Sequence, residues 1–251
     1  MADGGTAERI ADAMRGSSMT VVLTGLFLGS RESLDLTHGR GEWREHASLE
    51  AFLTEPQRFW EYYVPAAKEI GERQPNEGHR AIARMQERGD IDALVTQAVD
   101  RLHARAGSPD VVEVYGSLVV YRCQRCGERY GLPEVESFLD QSDDGIPRCD
   151  SPECGYPLRP EGTLWGEPLV EASVKRAWEL AARAELMIVF DSDLQTAPIS
   201  LLPSVPLTRG ADLIIVGDDP TQYDRYARLV VRDEQSRDVI VDVDRILGGS
   251  A

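Results

Sequence analysis

Four cysteines fall in two pairs. Cys123 and Cys126 lie in "YRCQRCGERY" with the spacing C-x2-C, Cys149 and Cys154 lie in "PRCDSPECGY" with the spacing C-x4-C, and 22 residues separate the pairs. Two thiolates on one tight turn can reach the same ion, and a second turn completes a tetrahedron. Four sulfurs with no open position make a structural zinc site. Disulfide pairing or chance clustering is the alternative reading. The pairs use every cysteine of the chain, so none is left for redox work. A closed site cannot polarise a substrate, so the zinc signal alone says little about function. Just before the first pair, "VVEVYGSLVVY" carries Tyr115, whose phenol, with an ordinary pKa near ~10, is mostly protonated at neutral pH.

The segments around these residues alternate between two periods. "TAERIADAMRG", "NEGHRAIARMQERG" and "EASVKRAWELAARAE" have helical spacing, and the second closes at a glycine. "SLEAFLTEPQRFWEYYVPAAKEIGER" is also helical, with breaks expected at Pro56 and Pro65. "MTVVLTG" is a strand ending at Gly25, "IDALVTQAVD" reads as a buried strand and "DVVEVYGSLVV" as one or two more. "LMIVFD" and "ADLIIVGD" are the continuous apolar runs of parallel strands covered on both faces. "RDVIVDVDRIL" is expected to give a late strand and a turn of helix. Such alternation predicts an open α/β sheet of Rossmann-like type over residues 1–118 and 163–251. Residues 119–162, rich in Gly, Pro and Asp, interrupt it as an inserted zinc-binding module.

Composition removes several classes. The formal net charge is -16, which opposes a nucleic-acid partner held through its phosphates. No apolar stretch approaches the ~20 residues of a membrane span. The N-terminus, with charges of both signs and no apolar run, does not read as a secretory signal. A cytoplasmic location is expected, where paired cysteines are more often metal ligands than disulfides.

The order of segments resembles the sirtuins, the NAD-dependent protein deacylases, over roughly residues 19 to 230. "VVLTG" is similar to the family's first strand and "PNEGHRAIARM" to its PNxGHxAlaxL helix. "VTQAVDRLHARAGSPDVVEVYGSL" is similar to TQNIDxLHxRAGSxxVxExHGSL, and the cysteine pairs follow where sirtuins carry a zinc ribbon. "RPEGTLWGEPL" resembles RPxVVxFGExLP, and "LMIVFDSDLQTAPISLLP" the strand ending GTSLxVxPxxxLP. The resemblance implies a Rossmann-like domain with a zinc-bearing small domain. It also places Trp165 near the acyl-lysine channel, and makes His79 and His103 structural histidines.

The departures concentrate at the chemistry. The family's catalytic histidine, a base for the cofactor ribose hydroxyl, corresponds to Tyr115, and the ribose-positioning asparagine to Ala98, while Asp100 is kept. The phosphate loop GAGxS corresponds to Gly25 through Ser30, with Phe27 at its second glycine. The family's GTS becomes Asp191-Ser192-Asp193, and the asparagine after the next strand becomes Gly217. The nicotinamide-covering stretch is replaced near Leu34 to His38. Losing the base alone costs roughly 10²- to 10⁴-fold in rate. These changes lead to the expectation that NAD binds weakly or not at all, and that the chain is a catalytically degenerate relative, a pseudoenzyme. It would act by binding a protein segment, a ligand or an active enzyme, with Tyr115 filling the vacated pocket. The alternatives are altered chemistry involving Tyr115, Asp100 or Asp191, with the three acids Asp100, Asp191 and Asp193 meeting in the cleft, or an unusual NAD-dependent deacylase. The sequence leaves the oligomeric state open.

Overall fold

Residues 5–26, 28 and 41–249 are described in the computed structural model. Phe27, Gly29, Ser30 and the stretch from Leu34 to His38 lie outside the described residues, so the expectations placed on them go no further. In chain order the helices are α1 (Gly5–Arg15), α2 (Gly41–His46), α3 (Leu49–Thr54), α4 (Pro56–Glu72), α5 (Glu77–Arg88), α6 (Leu102–Arg105), α7 (Leu132–Asp140), α8 (Glu171–Arg183), α9 (Ser204–Leu207) and α10 (Ser236–Leu247). The strands are β1 (Thr20–Thr24), β2 (Ala93–Thr96), β3 (Val111–Glu113), β4 (Val120–Cys123), β5 (Arg129–Gly131), β6 (Leu158–Pro160), β7 (Leu186–Phe190), β8 (Asp212–Val216) and β9 (Leu229–Val231).

Six strands form a parallel sheet in the order β3-β2-β1-β7-β8-β9. β1 and β7 are apolar throughout because both sheet faces are covered. Val22, Ile188 and Ile214 meet α1, α5 and α10 on one face. Val21, Val189 and Ile215 meet Ala177 and Ala181 of α8 on the other. The open Rossmann-like sheet expected from sequence is therefore present. Its strand order runs outward in both directions from the β1–β7 pair. That pair is the topological switch point, where such sheets open a crevice at the carboxyl ends of their strands.

At that point the backbones nearly touch. The Gly25 N–H donates to Phe190 O at 2.8 Å. A Cβ on residue 25 would lie 1.7 Å from the Asp191 carbonyl oxygen, so only glycine ends β1 here without moving the β7 loop.

β4, β5 and β6 form a separate antiparallel sheet in the order β5-β4-β6. Its Tyr121 and Leu158 share a hydrophobic cluster with Phe59, Trp60, Tyr63 and Ile70 of α4. Phe59 and Tyr63 stack at 5.0 Å, and Trp60 lies 5.8 Å from Tyr121.

Two local expectations are corrected. α4 begins at Pro56 but runs through Pro65 without a break. Burial of Phe59, Trp60, Tyr63, Ala67 and Ile70 along one stripe outweighs the missing N–H. "RDVIVDVDRIL" is helix throughout, as part of α10. The β-branched residues suggested a strand, but Val239, Ile240 and Val243 share the buried face of a 3.6-residue period. Asp244 fixes that helix to α5 through Arg84 at 2.7 Å and Arg88 at 2.8 Å.

Gly25→Ala is expected to destabilise the fold by roughly 1–3 kcal/mol through overpacking against backbone. Urea unfolding should show a lower midpoint at unchanged m-value.

Candidate functional site

A cleft of about 1200 Å³ opens at the switch point. One end is walled by Val99, Leu118, Leu164 and Trp165, the middle by Gln97, Tyr115 and Ser192, and the other end by Gly217, Asp218, Asp219 and Ser236. Small-molecule pockets usually span about 300–1,000 Å³, so the space suits a two-part ligand. Thr163 lines it, and its buried hydroxyl has no hydrogen-bond partner among the described residues.

The middle of the cleft is polar. Tyr115 is carried by the turn after β3, whose shape depends on Gly116 at φ 69°. A Cβ at residue 116 would lie 2.4 Å from Glu161 O. The Thr163 N–H donates to Tyr115 O at 2.8 Å. Burial pushes the Tyr115 phenol above its ordinary pKa, opposed by the Gln97 side chain. Ser192 Oγ donates to Gln97 Oε1 at 2.6 Å.

The acidic residues expected to face a cofactor are used within the loops. Asp191, at φ 51°, accepts from Ser236 Oγ at 2.5 Å at the start of α10. Asp193 Oδ1 accepts from Gln195 N at 3.1 Å. Asp100 is buried, accepts from Leu102 N at 2.9 Å, and does not line the cleft. Burial raises its pKa. The expected meeting of Asp100, Asp191 and Asp193 is therefore corrected: only the latter two reach the cleft, because Asp100 turns in to cap α6. Ala98 is likewise buried outside the lining.

His79 and His103 are buried side by side, rings 4.7 Å apart. Thr24 Oγ1 lies 2.7 Å from Thr96 Oγ1 and 3.0 Å from His103 Nε2, in hydrogen-bonding reach of both. His79 caps α5 together with Asn76. Burial lowers His79 to about 4 and holds His103 well below the usual range. Trp165 is 49% exposed at the cleft wall, with the Arg44 guanidinium 4.2 Å above its ring.

The four cysteine sulfurs lie within 4.8 Å of one another. Cys123 and Cys154 are 3.6 Å apart, Cys126 and Cys149 3.5 Å, and no pair is bonded. Tetrahedral Zn–S bonds of about 2.3 Å require sulfurs about 3.8 Å apart, so the cluster fits a zinc module. The Arg125 N–H points at Cys123 Sγ from 3.4 Å, as a thiolate favours. None of the four lines the cleft.

The Sir2 family signature matches residues 39–198. A protein named NAD-dependent protein deacetylase 1 from Geobacillus kaustophilus is 36% identical over 95% of this chain and 97% of its own. Its namesake from Pyrobaculum aerophilum is 33% identical over 96% and 95%. The chain belongs to the Sir2 family. A solved Sir2 with a p53 peptide and NAD+ superposes at TM-score 0.82, with 31% identity over 97% of this chain and 99% of that one. A Sir2 histidine-to-tyrosine mutant with a p53 peptide and NAD gives 0.77, with 30% identity over 98% and 99%.

These Sir2 relatives overturn the expectation of a degenerate pseudoenzyme. Proteins sharing a third of their residues over nearly the whole chain are named as NAD-dependent deacetylases, and expecting NAD to bind weakly or not at all has no support beside them. Asp191 and Asp193 do line the cleft, and each is also held by the protein, through Ser236 and Gln195. Gln97, in "VTQAVD" beside Ala98, is a cleft residue that the sequence expectations do not include. Ser236 carried no signal, being 45 residues from its partner. No helix among the described residues is long and apolar enough to cross a membrane.

Burial pushes Glu113, beneath the Tyr115 turn, up to about 7, against Arg101 at 3.3 Å. A raised folded pKa favours the protonated form, so its contribution is complete below the unfolded value of 4.5 and is lost as pH rises through about 7. Unfolding free energies of the parent and Glu113→Gln, measured at intervals from pH 4.5 to 7.5, should diverge by on the order of 1–3 kcal/mol. The parent should be the one that weakens.

Proposed function

We propose that the chain is an NAD-dependent protein deacylase that takes an acyl-lysine of a peptide segment into the Trp165 end of its cleft and the dinucleotide into the end beyond Ser192. One observation carries this reading. A single continuous cleft at the switch point joins an apolar wall at Val99, Leu118, Leu164 and Trp165 to a polar stretch at Gln97, Ser192, Gly217 and Ser236. The named activity of the Sir2 relatives supports it. The histidine-to-tyrosine Sir2 solved with peptide and NAD supports the loading of both ligands in a protein carrying such a change.

When bound, NAD supplies the ribose hydroxyl that the family activates. This chain's residues bind and orient. Val99, Leu118, Leu164 and Trp165 form an apolar slot for a lysine stem and its acyl group. Gly217 and Ser236 line the end proposed for the dinucleotide, with Ser192 and Gln97 in the polar middle of the cleft. Tyr115 is a neutral phenol at neutral pH, so it holds the ribose rather than taking its proton. The four cysteines hold a structural zinc that keeps β4 and β6 together and takes no part in the chemistry.

Zinc-replete protein incubated with acetylated or propionylated lysine peptides should release the free peptide only when NAD is present, as followed by mass spectrometry. Absence of NAD-dependent release from both peptides would overturn the proposal. Elemental analysis should find about one zinc per chain. Cys149→Ser should lower the melting temperature sharply, since zinc binding by such a module is also folding energy. Metal-free protein prepared without chelators would contradict the zinc assignment.

A further inference from the structure

We propose that the Tyr130 hydroxyl holds the zinc-bound Cys149 sulfur with its one proton, and that Asp150 competes for that proton and so sets how readily the site releases its metal. The proposal rests on the reading of the four cysteines as a zinc site, and it concerns two residues outside the ligand set.

Tyr130 belongs to the hairpin that carries the first cysteine pair. In β5 it stands opposite Tyr121 of β4, and the Cys123 N–H closes the turn between them by donating to Glu128 O at 2.8 Å. The ring is held from the side by Phe138 of α7, 5.3 Å away and edge to face. From that hairpin the hydroxyl reaches across to the second cysteine turn. It lies 3.0 Å from Cys149 Sγ and 2.9 Å from Asp150 Oδ1. One side chain thus ties the two cysteine-bearing turns together beside the metal ligands. Tyr130 and Cys149 are buried, at 9% and 4% exposure, so water is a poor substitute for the phenol at that sulfur.

The two contacts compete. A carboxylate only accepts, and a sulfur bound to zinc carries no proton and only accepts as well. The phenol has one proton for the two of them. Donated to Cys149, it relieves charge on the thiolate and leaves the phenolic oxygen facing the Asp150 carboxylate with no proton between them. Donated to Asp150, it leaves the sulfur facing the lone pairs of the phenol. Asp150 is exposed, so its carboxylate can turn to water and give up the proton to the sulfur. Cys123 has no such rival, because the donor aimed at its sulfur is the Arg125 backbone N–H at 3.4 Å. The hold of Cys149 on the metal therefore depends on a contested hydrogen bond.

Asp150→Asn tests the contest. An asparagine can turn its NH2 to the phenolic oxygen, so that the phenol donates to the sulfur with both contacts satisfied. Zinc release from the whole chain to an excess of chromogenic chelator should be about tenfold faster in Tyr130→Phe than in the parent. It should be severalfold slower in Asp150→Asn. In the Tyr130→Phe background, Asp150→Asn should change the rate by about twofold or less, because groups that act through one another are not additive. That comparison separates the shared proton from the mere loss of a negative charge beside the cluster. Phenylalanine keeps the contact with Phe138 and residue 150 is at the surface, so both variants should fold. Cobalt-substituted protein gives a signature that a purely structural role would not move. Losing a hydrogen bond raises the sulfur lone pairs, so the sulfur-to-cobalt charge-transfer band should shift to longer wavelength in Tyr130→Phe and to shorter wavelength in Asp150→Asn. An unmoved band and an unchanged release rate in Tyr130→Phe overturn the role of the phenol. Release that Asp150→Asn fails to slow, or slows equally in the phenylalanine background, overturns the competition. Reduced parent that takes up no zinc when zinc is supplied sinks the zinc assignment and this proposal with it. A parent that holds one zinc and loses it no more slowly than Tyr130→Phe sinks this proposal alone.

Discussion

Everything at the site follows from one close approach, that of the β1 end to the loop after β7. The Gly25 N–H reaches Phe190 O at 2.8 Å, and no Cβ fits between residue 25 and the Asp191 carbonyl. β1 and β7 are central neighbours, and the chain leaves this pair toward opposite edges of the sheet. The loops at their carboxyl ends therefore diverge, and the crevice forms between them. Had residue 25 carried a side chain, the loop of Asp191, Ser192 and Asp193 would stand off, and Ser192 would not reach Gln97 at the end of β2. A steric constraint in the backbone thus sets the distances of the polar groups.

The same loop shows how carboxylates near the switch point are engaged by the protein itself. The carboxylates closest to the switch point spend their lone pairs on the protein. Asp191 accepts the hydroxyl at the start of α10, and Asp193 accepts the backbone of Gln195. A carboxylate at a helix N-terminus is favourably placed against the helix dipole. Its charge is directed into the fold as much as into the cleft. In the middle of the cleft the groups facing the space are uncharged, the Tyr115 phenol beside Gln97 and Ser192, while Asp218, Asp219 and Glu234 stand at the far end.

Much of this was legible in the chain. Buried parallel strands show as runs such as "LMIVFD", because both faces of the sheet are covered, and the cysteine spacing shows the four-sulfur cluster because ligand geometry is local. What was not legible depended on orientation. The β-branched composition of "RDVIVDVDRIL" suggests a strand and a turn of helix because composition is local information, while the face α10 buries is not. Pro65 signals a break, but packing along α4 outweighs one lost hydrogen bond. Asp100 looked like a cleft residue until it turned out to cap Leu102. The pairing of Asp191 with Ser236 joins residues far apart in sequence and could only come from the fold. Reading residue identity as residue direction led to the expectation of lost function, and the family relationship corrects it.

The central claim is that the switch-point cleft holds NAD despite its altered residues. Titration of NAD into zinc-replete protein, followed by isothermal calorimetry, tests it most directly. The account predicts one NAD per chain with a dissociation constant below about 1 mM, within the ordinary range for enzyme substrates. No saturable heat up to several millimolar NAD, from protein shown to be folded and zinc-loaded, would contradict it.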